Sequence, residues 1–587
     1  MESMAHGFMK YLSPRWLVGP ILDKEMRVSS RRLRNYVVRA AYLALLTLFV
    51  TLAWLDAAPH NPSGALRTVE MARAGQGITI LIVWFQFLAC QVVAIVMLST
   101  AISDEIFHRT LGVLMTTPIN SFQIVIGKLA GRLLQVVLLM GLSLPLLAIV
   151  RVFGGIAWVF LVGAWVLTLT TTLFVGSVSL LFSIFCRRAY VVIIWTVLGL
   201  GALWGVIPLL AALVGTHYKI INERQLEVFL SWTHPYFGLV QLSAWFMSPW
   251  AVPLPFGVHG AWLWPSMVMV IGTIGVLTLA VFRVRVVARR QITGDLPASG
   301  GPSKMRGGKR TSAWLIPVRG CPVLWKEMRA PLLGRRRWLI VLGTALALGM
   351  LSVIYIVAAD ERAFGEQAFH VSMVFFLMMV GALFCIVTPA TTITSEKESR
   401  SWPILLGTTL SDWRIVLAKG LGSMRRGLPA WVFLAGHVVV FTIVGFIHPM
   451  AILQLAMVVT GLVAFLTGTG LYFSSRFKHT TTAVIANLAV PTVLWGLVPI
   501  VMAMILAMSD TRPDPMIAYM GLCPFAQAMV ITDTCARGWK LQMYHLGDYN
   551  LDTGEAMVFL LMTMALFILL GLVFAGRAKT NLRRRIF

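Results

Sequence analysis

The sequence predicts an all-α polytopic membrane protein with about twelve transmembrane helices. We expect two parallel six-helix repeats, each preceded by a cytoplasmic amphipathic interface helix. Of the 587 residues, 58% are hydrophobic and only 12% are charged, whereas soluble domains carry roughly 25% charged residues. Strings of residues also recur, because Trp204-Gly-Val-Ile-Pro208 returns as Trp495-Gly-Leu-Val-Pro499 and His234-Pro-Tyr236 returns as Cys523-Pro-Phe525. A duplicated apolar chain is typical of membrane proteins with a pathway between two similar halves.

The placement of charge predicts the orientation in the membrane. The chain has 49 Lys and Arg residues and a formal net charge of +26. Most of the basic residues fall on one side of the predicted spans, in the N-terminal segment, alternate loops, the central linker and the C-terminal tail. This asymmetry predicts that both termini are cytoplasmic. Basic loops beside lipid headgroups account for the charge, so we expect membrane lipids as partners and no nucleic acid.

Apolar stretches define the spans, since a membrane-crossing helix needs about 20 apolar residues. The first half offers stretches at 37–55, 78–102, 133–150, 156–185, 190–214 and 262–282. The second half offers 338–358, 370–394, 427–447, 450–473, 481–507 and 556–575. Five domains are predicted. They are an N-terminal cytoplasmic segment with the first interface helix (1–36), the first transmembrane half (37–282), a basic cytoplasmic linker with the second interface helix (283–337), the second transmembrane half (338–575) and a basic cytoplasmic tail (576–587).

The segments between the fifth and sixth spans of each half are long and only partly apolar. Val228–Met247 and Met516–Ile531 are too broken to cross a membrane, but apolar enough to lie on or dip into the outer leaflet. The six cysteines show no metal-binding spacing. Cys523 and Cys535 fall in one outer segment, so they either form a disulfide or remain free.

A basic amphipathic helix is predicted before the first span of each half. Apolar residues recur at helical spacing before Tyr36, and the second copy, Cys321–Trp338, should be kinked or shortened by Pro331. Such a helix either anchors the chain to lipid or contacts a cytoplasmic partner. Recurrence of the Lys-Glu-Met-Arg string favours the partner, because anchoring requires no fixed acid, and the candidate residues are Lys24, Glu25, Arg27, Lys326, Glu327 and Arg329.

The segment between the second and third spans carries a second ordered pattern. An acid ends the span, a Glu-x-x-x-Arg-[Thr/Ser] string and a short amphipathic stretch follow, and a Lys comes before the third span. Each residue of the first half has a counterpart at the same sequence distance in the second. The candidates are Glu105, Arg109, Thr110, Leu111 and Lys128, then Glu396, Arg400, Ser401, Trp402 and Lys419.

These patterns, taken together and in order, resemble the permeases of the type-two ATP-binding-cassette (ABC) exporter family. The resemblance covers nearly the whole chain. It implies that Arg109–Met115 and Arg400–Leu406 are coupling helices that dock on an ATPase, and that Glu105 and Glu396 join an ion-pair network with arginines of the interface helices. The alternative is that both glutamates are solvated helix ends. Trp402-Pro403 departs from Leu111-Gly112, so the two coupling helices need not be equivalent.

No nucleotide-binding motif accompanies this resemblance. Gly308-Lys309 is followed by Arg310 and lacks the upstream glycine of a phosphate-binding loop. The chain is therefore expected to be no enzyme and to hold no cofactor. The resemblance implies two copies of a separate cytoplasmic ABC ATPase, which bind ATP and Mg, and a bacterial-type cytoplasmic membrane as the location. The exported substrate is not indicated.

Polar, tryptophan and proline residues within the spans are candidates for the pathway or its gate. Helix-kinking prolines and small-residue pairs such as Gly201 and Gly205 predict a bend and close helix packing in the fifth spans. Lone polar groups in apolar spans either face a pathway or are bonded locally, which we favour for the histidine. The candidates are Gln86, Gln91, Trp204, Pro208, His437, Trp495 and Pro499.

The leading interpretation is therefore the permease subunit of an ATP-driven exporter. The alternative is an ATP-independent secondary transporter with parallel six-helix halves, similar to the major facilitator superfamily. That superfamily's Gly-x-x-x-Asp-Arg-x-Gly-Arg string is missing after the second span. A membrane enzyme acting on lipid-linked substrates is a third class, but no loop concentrates carboxylates or histidines as such a site requires.

Overall fold

The computed structural model describes residues 22, 25, 27, 33–57, 64–108, 110–111, 119–153, 156–186, 188–217, 219, 222–248, 255–292, 320–330, 337–508, 514–536, 543–546 and 549–584. The chain divides into two compact units. The first unit comprises Met1–Pro208 and Ile221–Ala313, and the second comprises Leu209–Ile220 and Trp314–Phe587.

The helices that precede the central linker follow the predicted order. Two short helices, α9 and α10, separate the fifth span from the sixth. The helices are α1 (Leu33–Ala57), α2 (Gly64–Leu98), α3 (Ser103–His108), α4 (Ser121–Gly141), α5 (Leu144–Phe153), α6 (Trp158–Phe185), α7 (Ala189–Gly201), α8 (Ile207–His217), α9 (Glu223–Thr233), α10 (Pro235–Met247) and α11 (Gly257–Ile292).

The helices that follow the linker have a similar order and add a small antiparallel hairpin. Its strands are β1 (Tyr544–Leu546) and β2 (Tyr549–Leu551), in which Tyr544 pairs with Leu551. The helices are α12 (Pro322–Arg329), α13 (Arg337–Asp360), α14 (Gln367–Thr392), α15 (Thr394–Glu398), α16 (Trp402–Leu406), α17 (Asp412–Val444), α18 (Met450–Arg476), α19 (Thr480–Thr492), α20 (Val498–Met508), α21 (Asp514–Gly521), α22 (Pro524–Cys535) and α23 (Thr553–Arg584).

The predicted fold class, an all-α polytopic membrane protein, is confirmed. Among the described residues, 11 helices are long and apolar enough to cross a membrane, or up to 12 if the bent pair α21 and α22 forms one span. The predicted span at 37–55 lies within α1, whose described side chains include the shorter apolar stretch Arg39–Leu48. Duplication of the chain stays a prediction.

The third spans begin well before their predicted starts at 133 and 427. Helix α4 starts at Ser121 and α17 at Asp412, so each includes a lysine, Lys128 or Lys419, in its first turns. A hydropathy pattern ends a span at a charged residue. Here those lysines are buried and paired, so the helix continues past them.

The fifth span of each half contains a short π-helical turn. Ala202–Val206 lies between α7 and α8, and Val493–Leu497 lies between α19 and α20. In each turn the backbone N–H that follows bonds five residues back, from Ile207 to Ala202 and from Val498 to Val493. A π turn inserts one residue into the helical register and often marks a functional position.

The segments before the sixth spans are broken helix pairs, which agrees with the prediction that Val228–Met247 and Met516–Ile531 are too broken to cross a membrane. That they lie on or dip into the outer leaflet stays a prediction. Helix α9 gives way to α10 at His234, and α21 meets α22 at an angle of 89°. Of the two alternatives for Cys523 and Cys535, the structure supports free cysteines. Both thiols are free, and the two residues lie at opposite ends of α22. A 12-residue helix keeps its ends about 18 Å apart.

The second interface helix, α12, is shorter than the predicted Cys321–Trp338. It ends at Arg329, and Ala330 takes an extended conformation with ψ of 139°. The residue before a proline avoids the helical region, so Pro331 ends the helix as predicted. Of the first interface helix, Leu22, Glu25 and Arg27 are described, and all three are helical.

Close helix packing in the second unit depends on glycine. A Cβ on Gly468 of α18 would lie 2.2 Å from the carbonyl oxygen of Gly571 in α23. The fourth and sixth spans of this unit therefore meet backbone to backbone, which fixes α18 as the scaffold against which α14 also packs.

Candidate functional site

A buried ion-pair cluster joins the interface helix to the second and third spans of the second unit. Lys419 Nζ donates to Glu327 Oε1 at 2.7 Å and to Glu396 Oε1 at 2.6 Å. Arg426 Nη2 donates to Glu327 Oε2 at 2.8 Å. The side chains of Lys419 and Glu327 are only 1% and 7% exposed. We call these four residues the second ion-pair cluster.

Opposite charges determine the ionisation of Glu327. Burial acts to raise the pKa of Glu327, but the charges of Lys419 and Arg426 outweigh burial and hold that pKa below its usual 4.5. Glu327 is therefore ionised at neutral pH. Its bonds to both cations are charge-assisted, which makes them stronger than neutral hydrogen bonds.

The first unit contains a looser cluster with the same chemistry. Lys128 Nζ lies 2.7 Å from Glu105 Oε1 but 3.9 Å from Glu25 Oε1, and Arg132 Nε lies 3.6 Å from Glu25 Oε2. The Glu25 side chain is 22% exposed, about three times as much as that of Glu327. We call these four residues the first ion-pair cluster. Its interface helix is held by longer and more solvated contacts.

The partners of Glu105 and Glu396 differ from the expected ones. The resemblance implied arginines of the interface helices, whereas the structure pairs both glutamates with a lysine of the third span. The interface helix contributes Lys326 instead, whose Nζ lies 3.2 Å from Glu396 Oε1. These contacts contradict the alternative that the glutamates are solvated helix ends.

Glycines let each interface helix approach the third span. A Cβ on Gly131 would lie 2.8 Å from Glu25 Cβ, and one on Gly422 would lie 2.5 Å from Glu327 Cβ. Contacts this short require a residue without a side chain. The sequence analysis missed both glycines, although the same sequence distance separates them as separates Lys128 from Lys419.

The hydroxyl residue of the Glu-x-x-x-Arg-[Thr/Ser] string closes a tight turn. Thr110 N donates to the carbonyl of Glu105 at 3.0 Å, and Ser401 N donates to that of Glu396 at 3.1 Å. The Ser401 hydroxyl also contacts the Glu396 carbonyl at 3.4 Å. Arg400 adopts a left-handed conformation with φ of 56°, so the chain reverses sharply between α15 and α16.

A buried apolar residue anchors each segment that follows this turn. Leu111 and Trp402 are both 0% exposed and occupy the same place in the two halves. Leu111 packs in a core with residues of α2, α4 and α11, and Trp402 packs with residues of α17, α18 and α23. In contrast, Ile404 of α16 is 76% exposed. A short helix therefore presents an apolar side chain outward while its neighbour fixes it to the core.

The first half of the chain is similar to a known protein family. Residues 20–284 match the family model described as an ABC-2 family transporter protein. This part of the chain, somewhat less than half of its 587 residues, is therefore similar to ABC-2 transporters. Membrane domains of this family have no ATPase motif of their own and work with an ATP-binding subunit. No curated protein matches the chain significantly.

The remaining predicted residues of the interface helices and coupling segments take several positions. Arg27 is helical and exposed. The Arg329 guanidinium stacks over the Trp325 ring at 4.4 Å. Lys24 and Arg109 lie outside the described residues.

The fifth-span tryptophans each pack on an aromatic residue of the broken helix pair. The Trp204 ring lies 5.5 Å from that of Tyr236, and the Trp495 ring lies 5.7 Å from that of Phe525. A Cβ on Gly205 or Gly496 would meet nothing within 4 Å, so the close packing predicted at these glycines stays a prediction.

The two glutamines of the second span are bonded to other elements of the first unit. Gln86 Oε1 accepts from the Ser143 hydroxyl at 2.6 Å, and Gln91 Oε1 accepts from the Tyr236 hydroxyl at 2.7 Å. Gln91 therefore connects the second span to α10. The expectation of a role in a pathway stays a prediction.

His437 belongs to a hydrogen-bonded chain that the sequence did not indicate. Its Nδ1 accepts from the Tyr355 hydroxyl at 2.7 Å, and its Nε2 lies 3.4 Å from His370 Nδ1. His370 Nε2 donates to the Phe364 carbonyl at 2.9 Å. Because that carbonyl only accepts, one set of neutral tautomers satisfies all three contacts. This is the local bonding favoured for His437.

Gly422→Ala should push α12 away from α17, because the new Cβ would overlap that of Glu327. Cys321 reports this movement, since it is partly exposed at the start of α12 while the other five cysteines are buried. We expect maleimide labelling of Cys321 in mild detergent to become severalfold faster. The control is Gly436→Ala in the same helix, where a Cβ meets nothing within 4 Å. Equal labelling rates in the two variants would contradict the close approach.

Glu327→Gln should lower the free energy of unfolding by about 3–5 kcal/mol at pH 7, because it leaves Lys419 and Arg426 buried with one carboxylate fewer. Lys326→Ala should cost at most about 1 kcal/mol, since Lys326 is 69% exposed. Because the folded-state pKa of Glu327 is lowered, its carboxylate stabilises the fold at pH values above the usual pKa of 4.5. This stabilisation is lost as the pH falls through the lower folded-state pKa. The difference between wild type and Glu327→Gln should therefore shrink below pH 4.5. Denaturant unfolding at several pH values measures it, and a constant difference would reject the ion pair as its source.

Proposed function

We propose that the chain is the permease subunit of an ATP-driven ABC exporter. It forms the translocation pathway and couples it to two copies of a cytoplasmic ABC ATPase, which bind ATP and Mg. The family match and the two buried ion-pair clusters support this proposal. The observation that carries it is the junction of three elements at each cluster, namely the interface helix, the acidic end of the second span and the start of the third span.

The coupling step follows from how rigid that junction is. A displacement of α16 acts on Trp402, which is fully buried, and through Glu396 on Lys419 of the third span. Closely packed buried groups transmit a displacement rather than absorb it, because protein interiors have low compressibility. Closure of the ATPase subunits would thus tilt the second and third spans together.

The two coupling segments are proposed to be inequivalent. The second ion-pair cluster has three contacts of 2.8 Å or less, whereas one such contact holds the first. The second segment also has a tryptophan anchor where the first has Leu111. We infer that the second half transmits force more stiffly and that the first half yields more readily.

An inner-membrane location and a lipophilic substrate complete the proposal. The basic side of the chain, with both termini and both interface helices, faces the cytoplasm of a bacterial-type membrane. Few charges occur at membrane depth, which favours an apolar or amphipathic substrate. Transport of ions, with no transport across a panel of lipophilic compounds, would overturn this choice of substrate. The family assignment does not favour the secondary transporter.

The test is purification of the chain from its own host in mild detergent. We expect a stoichiometric partner of roughly 25–35 kDa that carries phosphate-binding-loop and ABC signature sequences. A chain that purifies alone after gentle crosslinking, and that drives gradient-dependent uptake in vesicles without ATP, would replace the proposal with a secondary transporter.

Ile404→Glu should weaken binding of the ATPase roughly tenfold or more, because a charge would be buried without a partner when α16 docks. Ile404 is exposed, so the variant should fold and insert normally. The amount of ATPase that co-purifies and the ATP hydrolysed per substrate moved are the two measurements. Ile404→Val is the matched control. Unchanged co-purification of Ile404→Glu would remove α16 from the docking surface.

A further inference from the structure

The π turns of the two fifth spans each precede a proline. Pro208 follows the turn Ala202–Val206, and Pro499 follows Val493–Leu497. A proline has no N–H, so it cannot bond to the carbonyl four residues back, as in an α-helix, or five residues back, as in a π turn. In the second unit these are the carbonyls of Trp495 and Leu494. In the first unit they are those of Trp204 and Leu203.

A side chain from the broken helix pair bonds to one of these carbonyls in each unit. His234 Nε2 donates to the Trp204 carbonyl at 2.5 Å, and the Tyr519 hydroxyl donates to the Leu494 carbonyl at 2.7 Å. A carbonyl without a donor is costly in an apolar environment. Two chemically different residues therefore each donate to one of the two carbonyls that the proline leaves without a donor. His234 bonds to the carbonyl four residues before Pro208, and Tyr519 bonds to the carbonyl five residues before Pro499.

The first of these side chains has no spare nitrogen. The Trp204 carbonyl only accepts, so Nε2 of His234 carries the proton, and Nδ1 accepts from the N–H of Phe237 at 3.1 Å. The ring thus caps α10 and bonds the fifth span at once. Its orientation is fixed by both contacts, which suits a positioning residue.

The same corner of each unit also reaches the second span. In the first unit the Tyr236 ring lies 5.0 Å from that of Phe87, and its hydroxyl bonds to Gln91. In the second unit the Phe525 ring lies 6.1 Å from that of Phe375. The broken helix pair is therefore packed between the second span and the π turn of the fifth span.

We propose that His234 and Tyr519 are positioning residues that fasten the π turn of each fifth span to the broken helix pair, so that second span, helix pair and fifth span move as one body at the outer end of the pathway. The proposal rests on the proposed export function for its role in gating. The fastening itself is a property of the chain alone.

The test is a double-mutant cycle in the second unit, where Tyr519→Phe removes a single hydroxyl. Pro499→Ala restores a backbone N–H that can bond to the Leu494 carbonyl in the π register. Hydrogen–deuterium exchange of the purified chain in lipid nanodiscs reads out the opening of residues 493–503. Tyr544→Phe is the control, since its hydroxyl bonds to Gln454 at 2.7 Å, away from the fifth span.

Tyr519→Phe should speed exchange in this stretch about fivefold, the net effect of one lost hydrogen bond. The same change in the Pro499→Ala background should have little effect, and Tyr544→Phe should leave the stretch unchanged. Equal effects of Tyr519→Phe in both backgrounds, or no effect in either, would overturn the fastening. Exchange needs no ATPase, so this result stands whether or not the export function is correct.

Transport decides the role in gating. In the complex with its ATPase, Tyr519→Phe should lower the substrate moved per ATP hydrolysed severalfold, and Pro499→Ala should restore it. ATP hydrolysis alone should not change, because Tyr519 bonds to the fifth span and belongs neither to α16 nor to the second ion-pair cluster. Normal transport by Tyr519→Phe, with the exchange result as expected, would overturn the gating role while leaving the fastening in place.

Discussion

The buried charge of Lys419 is the interaction on which the rest of the second unit depends. A lysine at 1% exposure is stable only if its charge is compensated, because removal of an ammonium group from water costs several kcal/mol. Glu327 and Glu396 provide that compensation from two separate elements. The interface helix and the end of the second span are therefore both held to the third span by the need to pair the Lys419 charge. If either element moved away, the Lys419 ammonium would lose a carboxylate partner.

The glycines make that requirement compatible with packing. Glu327 reaches Lys419 because Gly422, one turn away on the same helix, lets the interface helix approach the backbone. Gly131 does the same for Glu25 in the first unit, although Lys128 there is closer to Glu105 than to Glu25. The third span of each unit thus carries both the lysine and the glycine at which the interface helix approaches. The looser contacts in the first unit show that this close approach alone does not produce a tight cluster.

Local sequence pattern predicted most of the fold and only part of the site. Apolar length located the spans, and the recurrence of Glu105 as Glu396 and of Lys128 as Lys419 marked residues that the structure brings together in the two ion-pair clusters. The pattern could not show that Lys128 and Lys419 are inside helices, because hydropathy treats any lysine as an end. It also could not pair His370 with His437 or Tyr519 with Leu494, since those contacts join residues distant in sequence. Gly131 and Gly422 could have been predicted from the sequence, because the same sequence distance separates them as separates Lys128 from Lys419.

The prolines of the fifth spans impose a constraint on movement that is independent of the ion pairs. A proline inside a membrane helix leaves a carbonyl without its backbone donor, and here a side chain from a different element supplies the donor. If the broken helix pair retracted alone, it would leave that carbonyl unpaired in an apolar environment. The fifth span must then follow the helix pair, or a new donor must replace it. A movement that begins at the ion-pair clusters would pass along the second span and reach the fifth span through Tyr236 and Phe525. Each of these two rings packs on both the second and the fifth span of its unit.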